Sequence, residues 1–492
     1  MDPWAGRREW VPRDCRKFSG TLRSSGIRCS SRRESFVSVR FPRSPRFWWL
    51  SLLGLAVVLR LGVMVARPGQ LTTDRDLYLG IAAELREGQG YSTPGSHPPA
   101  PTAFRPPLYP LLLSVLPGTA IDIGLLHLVL AAAMVSATGQ AAKTLAGGQW
   151  PVGLLAGGIV AVDPLLLLYS GQPMTETLCS CLTAVLLWKM ASSEQTQRGA
   201  MIEGLIWGLC LLSRPTYAAA LGLCVVGRVL LRAGNTVPDI EPANSGESPS
   251  SPRLRVGLLG LGPRLRFGLL TLGVALIVVA PWAIRNWLVF GKPIVTTTHG
   301  GYTLWLANNP VYYAEVVEGG DAAWNGESLT RWQTETNAQM DRLQIQGEVA
   351  RDQWQAARAQ QFMAQHPWRF VRACLHRAAT FWSIVPGRAT ETGVPAPLLW
   401  VIASGYAAVW GGGVVALGRL LRDRSRGRIS WGQLWPVGSL ILGFFVVHLV
   451  YWTDVRMRAP IMPAIAVWVA VGLRGPAGRS PEESASGSAR NT

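Results

Sequence analysis

The chain has 492 residues, a formal net charge of +18, 49% hydrophobic residues and 21 Trp. Repeated apolar runs of membrane length exclude an ordinary soluble multidomain enzyme. The arginines concentrate in a tail and in short loops beside those runs, which excludes nucleic acid as the reason for the charge.

Residues 1–46 form a basic tail with Arg7, Arg8, Arg13, Arg16, Lys17, Arg23, Arg28, Arg32, Arg33, Arg40, Arg43 and Arg46 against four acids. It reads as a disordered cytoplasmic extension under the positive-inside rule rather than a cleaved leader. Phe47–Ala66 (FWWLSLLGLAVVLRLGVMVA) is the first span, of about the 20 residues that cross a hydrocarbon core. A polar loop at 67–107 follows on the outer side. Further spans are predicted at about 127–145, 152–170, 175–190, 200–212 and 217–231, which complete, with 267–283, an N-terminal membrane module over 47–284. The linker Asn235–Pro252 lies in a cytoplasmic loop of that module.

The segment 285–397 is predicted to be extracytoplasmic, with interfacial helices between Ser328 and Trp382 and an irregular, Thr- and Gly-rich start at Phe290–Asn309. Spans at 398–420, 434–451 and 461–473 end the membrane part, and 474–492 is a cytoplasmic tail. The expectation is therefore an all-α polytopic integral membrane protein of about ten transmembrane helices plus extracytoplasmic loop helices.

Seven cysteines, at 15, 29, 179, 181, 210, 224 and 374, lie mostly in the tail or inside spans, so no disulfide framework is expected. Cys179 and Cys181 point to nearly opposite sides of a helix and read as packing residues. No metal-ligand spacing indicates a cofactor. A divalent ion is compatible with the sequence but not called for by it.

Ionisable groups beside spans are costly and count as functional candidates. Here they gather on the outer side: Asp74 and Asp76 open the first loop, Asp163 and Glu176 flank the third and fourth spans, and Arg214, Arg285, Arg456 and Arg458 sit at the ends of later ones. Arginine holds a lipid-borne phosphate through two parallel hydrogen bonds, and a carboxylate accepts a proton from an attacking hydroxyl. Such a set suits sugar transfer from a polyprenyl-phosphate donor.

Several segments occur in an order that resembles a known family. They are Thr73-Asp74-Arg75-Asp76-Leu77-Tyr78 with Gly88-Gln89-Gly90-Tyr91, Arg105-Pro106-Pro107-Leu108-Tyr109-Pro110, Thr175-Glu176-Thr177-Leu178, and Gly208-Leu209-Cys210-Leu211-Leu212-Ser213-Arg214-Pro215-Thr216. Pro281-Trp282-Ala283-Ile284-Arg285-Asn286 with Gly291-Lys292-Pro293, then Trp305–Pro310, His366-Pro367 and Arg456–Pro463, complete the series. Over residues 47–473 the chain is similar to the lipid-carrier glycosyltransferases of GT-C fold, in the bacterial branch of the aminoarabinose transferase to lipid A, the protein O-mannosyltransferases and the RgtA/B/C/D-like enzymes.

The resemblance implies a plasma-membrane enzyme with its active site outside, inverting at the anomeric carbon. Its partners would be membrane lipids, a polyprenyl-phosphate sugar, and a lipid, glycan or protein acceptor. The family's first-loop catalytic acid falls on Asp74, four residues before Tyr78. Arg75 stands where some relatives carry a second acid, and Asp76 is the substitute. Tyr78, Arg105, Glu176, Arg214, Arg285 and Arg456 are implied as donor or acceptor contacts.

Plainer roles exist for some of these residues. Asp74 would cap a helix from about Arg75 to Glu87, and Glu176 would cap its own span. Arg60, inside the first span, would snorkel or pair with a carbonyl. Asp163-Pro164 marks a kink or helix end, His299 reads as solvated surface, and Trp282, Trp287, Trp368 and Trp382 as an aromatic belt. The rival function is a transporter or lipid-linked sugar flippase, which would carry charge at the bilayer midplane.

Overall fold

A computed structural model describes residues 44–192, 196–231, 261–320, 324, 327–385, 395–425 and 431–474. Most of the predicted N-terminal tail, the linker Asn235–Pro252 and the tail beyond Arg474 lie outside the described residues. The described chain is all-α, and its one strand-like feature is an antiparallel bridge between Ser92 and Pro101.

The membrane part comprises α1 (Pro45–Ala66), the loop helices α2 (Tyr78–Arg86) and α3 (Leu108–Ser114), then α4 (Ala120–Leu145), α5 (Trp150–Val162), α6 (Pro164–Ser170), α7 (Thr175–Ser192), α8 (Gln197–Ser213), α9 (Tyr217–Leu230) and α10 (Leu261–Phe290). An outer layer follows: α11 (Gly300–Ala307), α12 (Pro310–Tyr312), α13 (Glu327–Arg342), α14 (Glu348–Gln365) and α15 (Pro367–Phe381). The chain re-enters the bundle through α16 (Ala396–Ser425), α17 (Trp431–Val450) and α18 (Met462–Leu473). Every one of the ten predicted spans is helical. Among the described residues six helices are long and apolar enough to cross a membrane, and the α5–α6 pair, bent by 55°, makes a seventh if it is one span. Helices α7, α8 and α9 fall short because they are shorter or more polar, and they lie among other helices instead of facing lipid on all sides.

The α5–α6 bend shows how sequence forces geometry. Pro164 has no N–H, so the carbonyl of Val160 loses its partner one turn on. Buried Arg60 of α1 supplies the missing donors, with Nη2 on the Val160 carbonyl at 3.2 Å and Nη1 on those of Ala161 at 3.2 Å and Ala56 at 3.0 Å. Asp163 ends α5 and caps α6 through the amide of Leu166 at 2.9 Å. Arg60 thus takes the carbonyl-paired role, and Asp163 the helix-end role.

Close helix approach uses small residues. A Cβ added at Gly204 would stand 2.5 Å from the Thr271 carbonyl, and one at Gly208 would stand 2.5 Å from Val278, so this G-x-x-x-G stripe lets α8 lie directly on α10. One residue before Gly204, buried Glu203 pairs with Arg228 of α9 at 2.7 Å.

The outer layer has its own aromatic core of Trp305, Tyr312, Tyr313, Trp324, Trp332 and Phe362. It is tied to the bundle by buried Arg377, which donates to the carbonyls of Leu449 at 2.6 Å and Ala307 at 2.8 Å and so satisfies the ends of α17 and α11. Two local expectations are corrected. The stretch read as irregular through Asn309 contains α11, because Asp352 of α14 accepts the amides of Gly301 at 2.6 Å and Tyr302 at 3.3 Å and supplies a cap from outside the segment. In addition, α2 begins at Tyr78 rather than near Arg75, because Leu77 adopts a left-handed φ of 65°. Of the four belt tryptophans, Trp287 and Trp368 face outward, whereas Trp282 is buried against Tyr91 and donates to the Thr296 carbonyl.

Candidate active site

The first loop, the turn before α7, the loop at 291–299 and the segment joining α17 to α18 meet at one end of the bundle and enclose a cavity of about 780 Å³. Its wall brings together Arg75, Asp76, Tyr78, Arg105, Glu176, Arg214 and Arg456 from segments up to 381 positions apart in the chain. Four guanidinium groups therefore face two carboxylates. The site has an excess of positive charge in a partly water-excluded space, where such charge acts strongly on an anion.

The first loop places its two acids differently. Asp74 lies outside the cavity wall. Its Oδ2 accepts the Gly80 amide at 2.7 Å, capping α2 from outside the helix, while its Oδ1 is buried without a protein partner. Leu77, in a conformation that costs a bulky residue about 1–2 kcal/mol, then turns the chain so that Asp76 meets the cavity. Asp76 Oδ1 is 2.8 Å from Arg105 Nη2, and Arg105 Nε donates to the Asp76 carbonyl at 2.8 Å. Arg456 Nη1 stands 3.6 Å from Asp76 Oδ2. Arg105 lies over the rings of Phe104 and Tyr78, and burial pushes the Tyr78 hydroxyl up to about 12.

On the opposite wall Glu176 Oε1 is 3.2 Å from Arg214 Nη2 and 4.0 Å from Arg456 Nε. Glu176 Oε2 and Arg214 Nη1 are buried without a protein partner. Glu176 is thus an ion-pair partner deep in the site. Asp454 anchors Arg456 from behind, with Oδ1 accepting its amide at 2.8 Å.

Arg285 is not part of the wall. Its guanidinium donates to the carbonyls of Thr102 and Tyr91, both at 2.8 Å, and lies over Trp282, so it holds the first loop instead of facing the cavity. Arg458 is also occupied elsewhere, donating to the carbonyls of Phe381 and Ser383.

His299 lines the cavity, which corrects its reading as solvated surface. It packs on Phe104 at 4.3 Å and Tyr302 at 5.1 Å, and its Nδ1 is buried without a protein partner. Burial, with Arg105 and Arg456 nearby, holds its imidazole well below the usual histidine range. The sequence missed this residue because Phe104 is far away in the chain and a single His between Thr and Gly carries no local signal. It also missed Glu348 of α14, whose carboxylate accepts the Ala103 amide at 2.8 Å and the hydroxyls of Thr102 and Thr298, fastening both loops that flank the cavity. Among the described residues no group of three or more His, Cys, Asp or Glu is arranged to hold a metal ion.

No family model and no curated protein matches the chain. Solved structures do. The archaeal oligosaccharyltransferase AglB from Archaeoglobus fulgidus, in complex with an inhibitory peptide and a dolichol-phosphate, is similar over 87% of this chain and 50% of its own, at 13% identity and a TM-score of 0.47. The apo form of the Archaeoglobus fulgidus oligosaccharyltransferase gives the same four values. ArnT from Cupriavidus metallidurans bound to undecaprenyl phosphate is similar over 87% of this chain and 78% of its own, at 14% identity and a TM-score of 0.40. The chain spans about half the length of the archaeal oligosaccharyltransferase it matches.

Proposed function

We propose that the cavity transfers a sugar from a polyprenyl-phosphate donor to a hydroxyl of a lipid, glycan or protein acceptor at the same membrane surface. The observation that carries this reading is the cavity wall, in which four guanidinium groups face two carboxylates at one end of an apolar bundle. An isoprenoid tail fits the lipid-facing side, and the excess positive charge fits the phosphate.

In this reading the acceptor oxygen attacks the anomeric carbon from the face opposite the phosphate. The bond from that carbon to the phosphate oxygen breaks, and its electron pair leaves with the phosphate. The hydroxyl proton passes to a carboxylate. Asp76 takes this role, since it faces the cavity whereas Asp74 spends one oxygen on capping α2. Arg214 and Arg456 stabilise the leaving phosphate, and Arg105 holds Asp76 in place. The Tyr78 ring supports Arg105, whose guanidinium carbon lies over it at 5.5 Å, and Arg285 sets the position of the first loop. The reading invokes no metal. The arginine-rich tail and loops favour an extracytoplasmic site in a plasma-membrane protein.

The test is to incubate purified protein with a panel of radiolabelled polyprenyl-phosphate sugars and cell-envelope material. Release of polyprenyl phosphate with the label in an acceptor is expected from at least one donor. Movement of intact donor between leaflets without cleavage would replace the transferase by a flippase.

A further inference from the structure

A second pocket, of about 270 Å³, lies in the outer layer and is lined by Tyr302, Trp332, Gln333, Thr336, Asn337 and Gln355. Residues 332, 333, 336 and 337 fall on one side of α13, because positions three and four apart on a helix are neighbours. Tyr302 arrives from α11 and Gln355 from α14, so three helices close around the space. Tyr302 also lines the large cavity, which makes the two spaces neighbours across one side chain.

The chemistry of this wall is distinctive. It contains no Lys, Arg, Asp, Glu or His, in contrast to the arginine-rich cavity next door. Gln355 is only 6% exposed and Thr336 only 7%, and what little accessibility they keep includes their polar atoms, which open onto the pocket and not into a sealed interior. Facing the pocket, these two groups are available to water or to a ligand that enters it. Gln333 Nε2 donates to the Tyr302 hydroxyl at 2.7 Å, which leaves that hydroxyl's own hydrogen free to donate. The amides of Gln355 and Asn337 each offer a donor and an acceptor side by side, a pattern that matches two neighbouring hydroxyls. Trp332 and Tyr302 add aromatic surface for apolar C–H groups. A phosphate or charged peptide group would find no counter-charge here and would bear the cost of desolvation. The volume falls just below the range of roughly 300–1,000 Å³ typical of drug-sized ligands and suits a single small ring.

We infer that this pocket is a subsite for one neutral sugar residue of a saccharide acceptor, whose next residue reaches past Tyr302 into the cavity. The acceptor of the reaction is then a glycan. This role rests on the transferase reading, but occupancy of the pocket is measurable without turnover.

The experiment uses the full-length protein in detergent and titrates in neutral tetrasaccharides (maltotetraose, cellotetraose, mannotetraose, β-1,4-galactotetraose) and, separately, a neutral Ser/Thr/Gly hexapeptide. Binding is read by saturation-transfer NMR, and polyprenyl-phosphate binding is measured on the same preparations. At least one tetrasaccharide should bind saturably. Gln355→Leu combined with Thr336→Val should weaken it at least about tenfold, with thermal stability and polyprenyl-phosphate affinity unchanged. Asn337→Ala, at an exposed position that tolerates truncation, should weaken it about threefold and serves if the double variant fails to fold. Absence of binding by every tetrasaccharide, undiminished binding in the variants, or binding of the peptide with the same sensitivity would each overturn the assignment. Saccharide binding that survives where polyprenyl phosphate does not bind would sink the transferase reading and leave the pocket standing.

Discussion

Replacing Asp76 by Asn separates the chemical role of the first loop from its structural role. The carboxylate and its partner Arg105 are 18% and 15% exposed, so the pair is largely withdrawn from water. Removing one member of a fully buried pair costs about 3–5 kcal/mol. Here the loss is smaller, because Asn keeps one oxygen for Arg105 Nη2 and Arg105 Nε keeps the backbone carbonyl at 2.8 Å. About 1–2 kcal/mol of stability should be lost, which a folded protein tolerates. Turnover should fall roughly 10²- to 10⁴-fold, equivalent to about 3–5 kcal/mol on the barrier, because an amide does not accept the acceptor's proton. Asp74→Asn is the control. Asn caps helices about as well as Asp, so the bond to the Gly80 amide survives and both stability and turnover should change little. Both variants are assayed by release of polyprenyl phosphate and by thermal unfolding. An inactive Asp74 variant beside an active Asp76 variant would refute the assignment and return the base to the position chosen from spacing alone.

Arg456→Lys keeps a charge but loses the planar fork, so donor affinity should drop about tenfold or more, whereas Arg285→Lys should lower thermal stability and leave donor affinity near the native value. Gly204→Leu places a side chain against the Thr271 carbonyl and should cost about 1–3 kcal/mol or prevent folding, while Gly222→Leu, which meets no atom within 4 Å, should be neutral in the same melts. His299 resists protonation in the folded protein, whereas the unfolded chain takes up a proton below about pH 6.5. Stability should therefore fall as pH drops beneath that value, by at most about 1.4 kcal/mol per pH unit, and His299→Gln should flatten that part of the profile. In a Cys374→Ser background, Glu335→Cys should react with an impermeant thiol reagent in intact cells and Ser425→Cys should not, and the reverse pattern would place the cavity on the cytoplasmic side.

The helices were legible in the sequence because apolar runs of membrane length have few alternatives, and every predicted span is helical. Positions that depend on distant partners were not legible. Arg285 and Arg456 both sit at the end of a span in similar company, and only their tertiary partners send one to backbone carbonyls and the other to the cavity. Asp74 and Asp76 are two residues apart, and what separates them is the left-handed turn at Leu77, which no propensity for leucine foretells. The stretch before Asn309 looked irregular because the carboxylate that caps α11 belongs to Asp352. By contrast, the G-x-x-x-G of Gly204 and Gly208 was present in plain view, and its meaning emerged only when α10 was found lying against it.

Arg60 and Pro164 bear on how charge inside a membrane helix is to be understood. The proline strips a donor from one helix, and the arginine of another returns it at the same depth. The two residues form one structural unit drawn from two helices. Losing the arginine alone would strand the Val160 carbonyl in hydrocarbon, while losing the proline alone would return that carbonyl to its own helix and leave Arg60 the carbonyls of Ala56 and Ala161. The charge of Arg60 is therefore the completion of a broken backbone, a different use from the carboxylate pairing of Arg228 with Glu203.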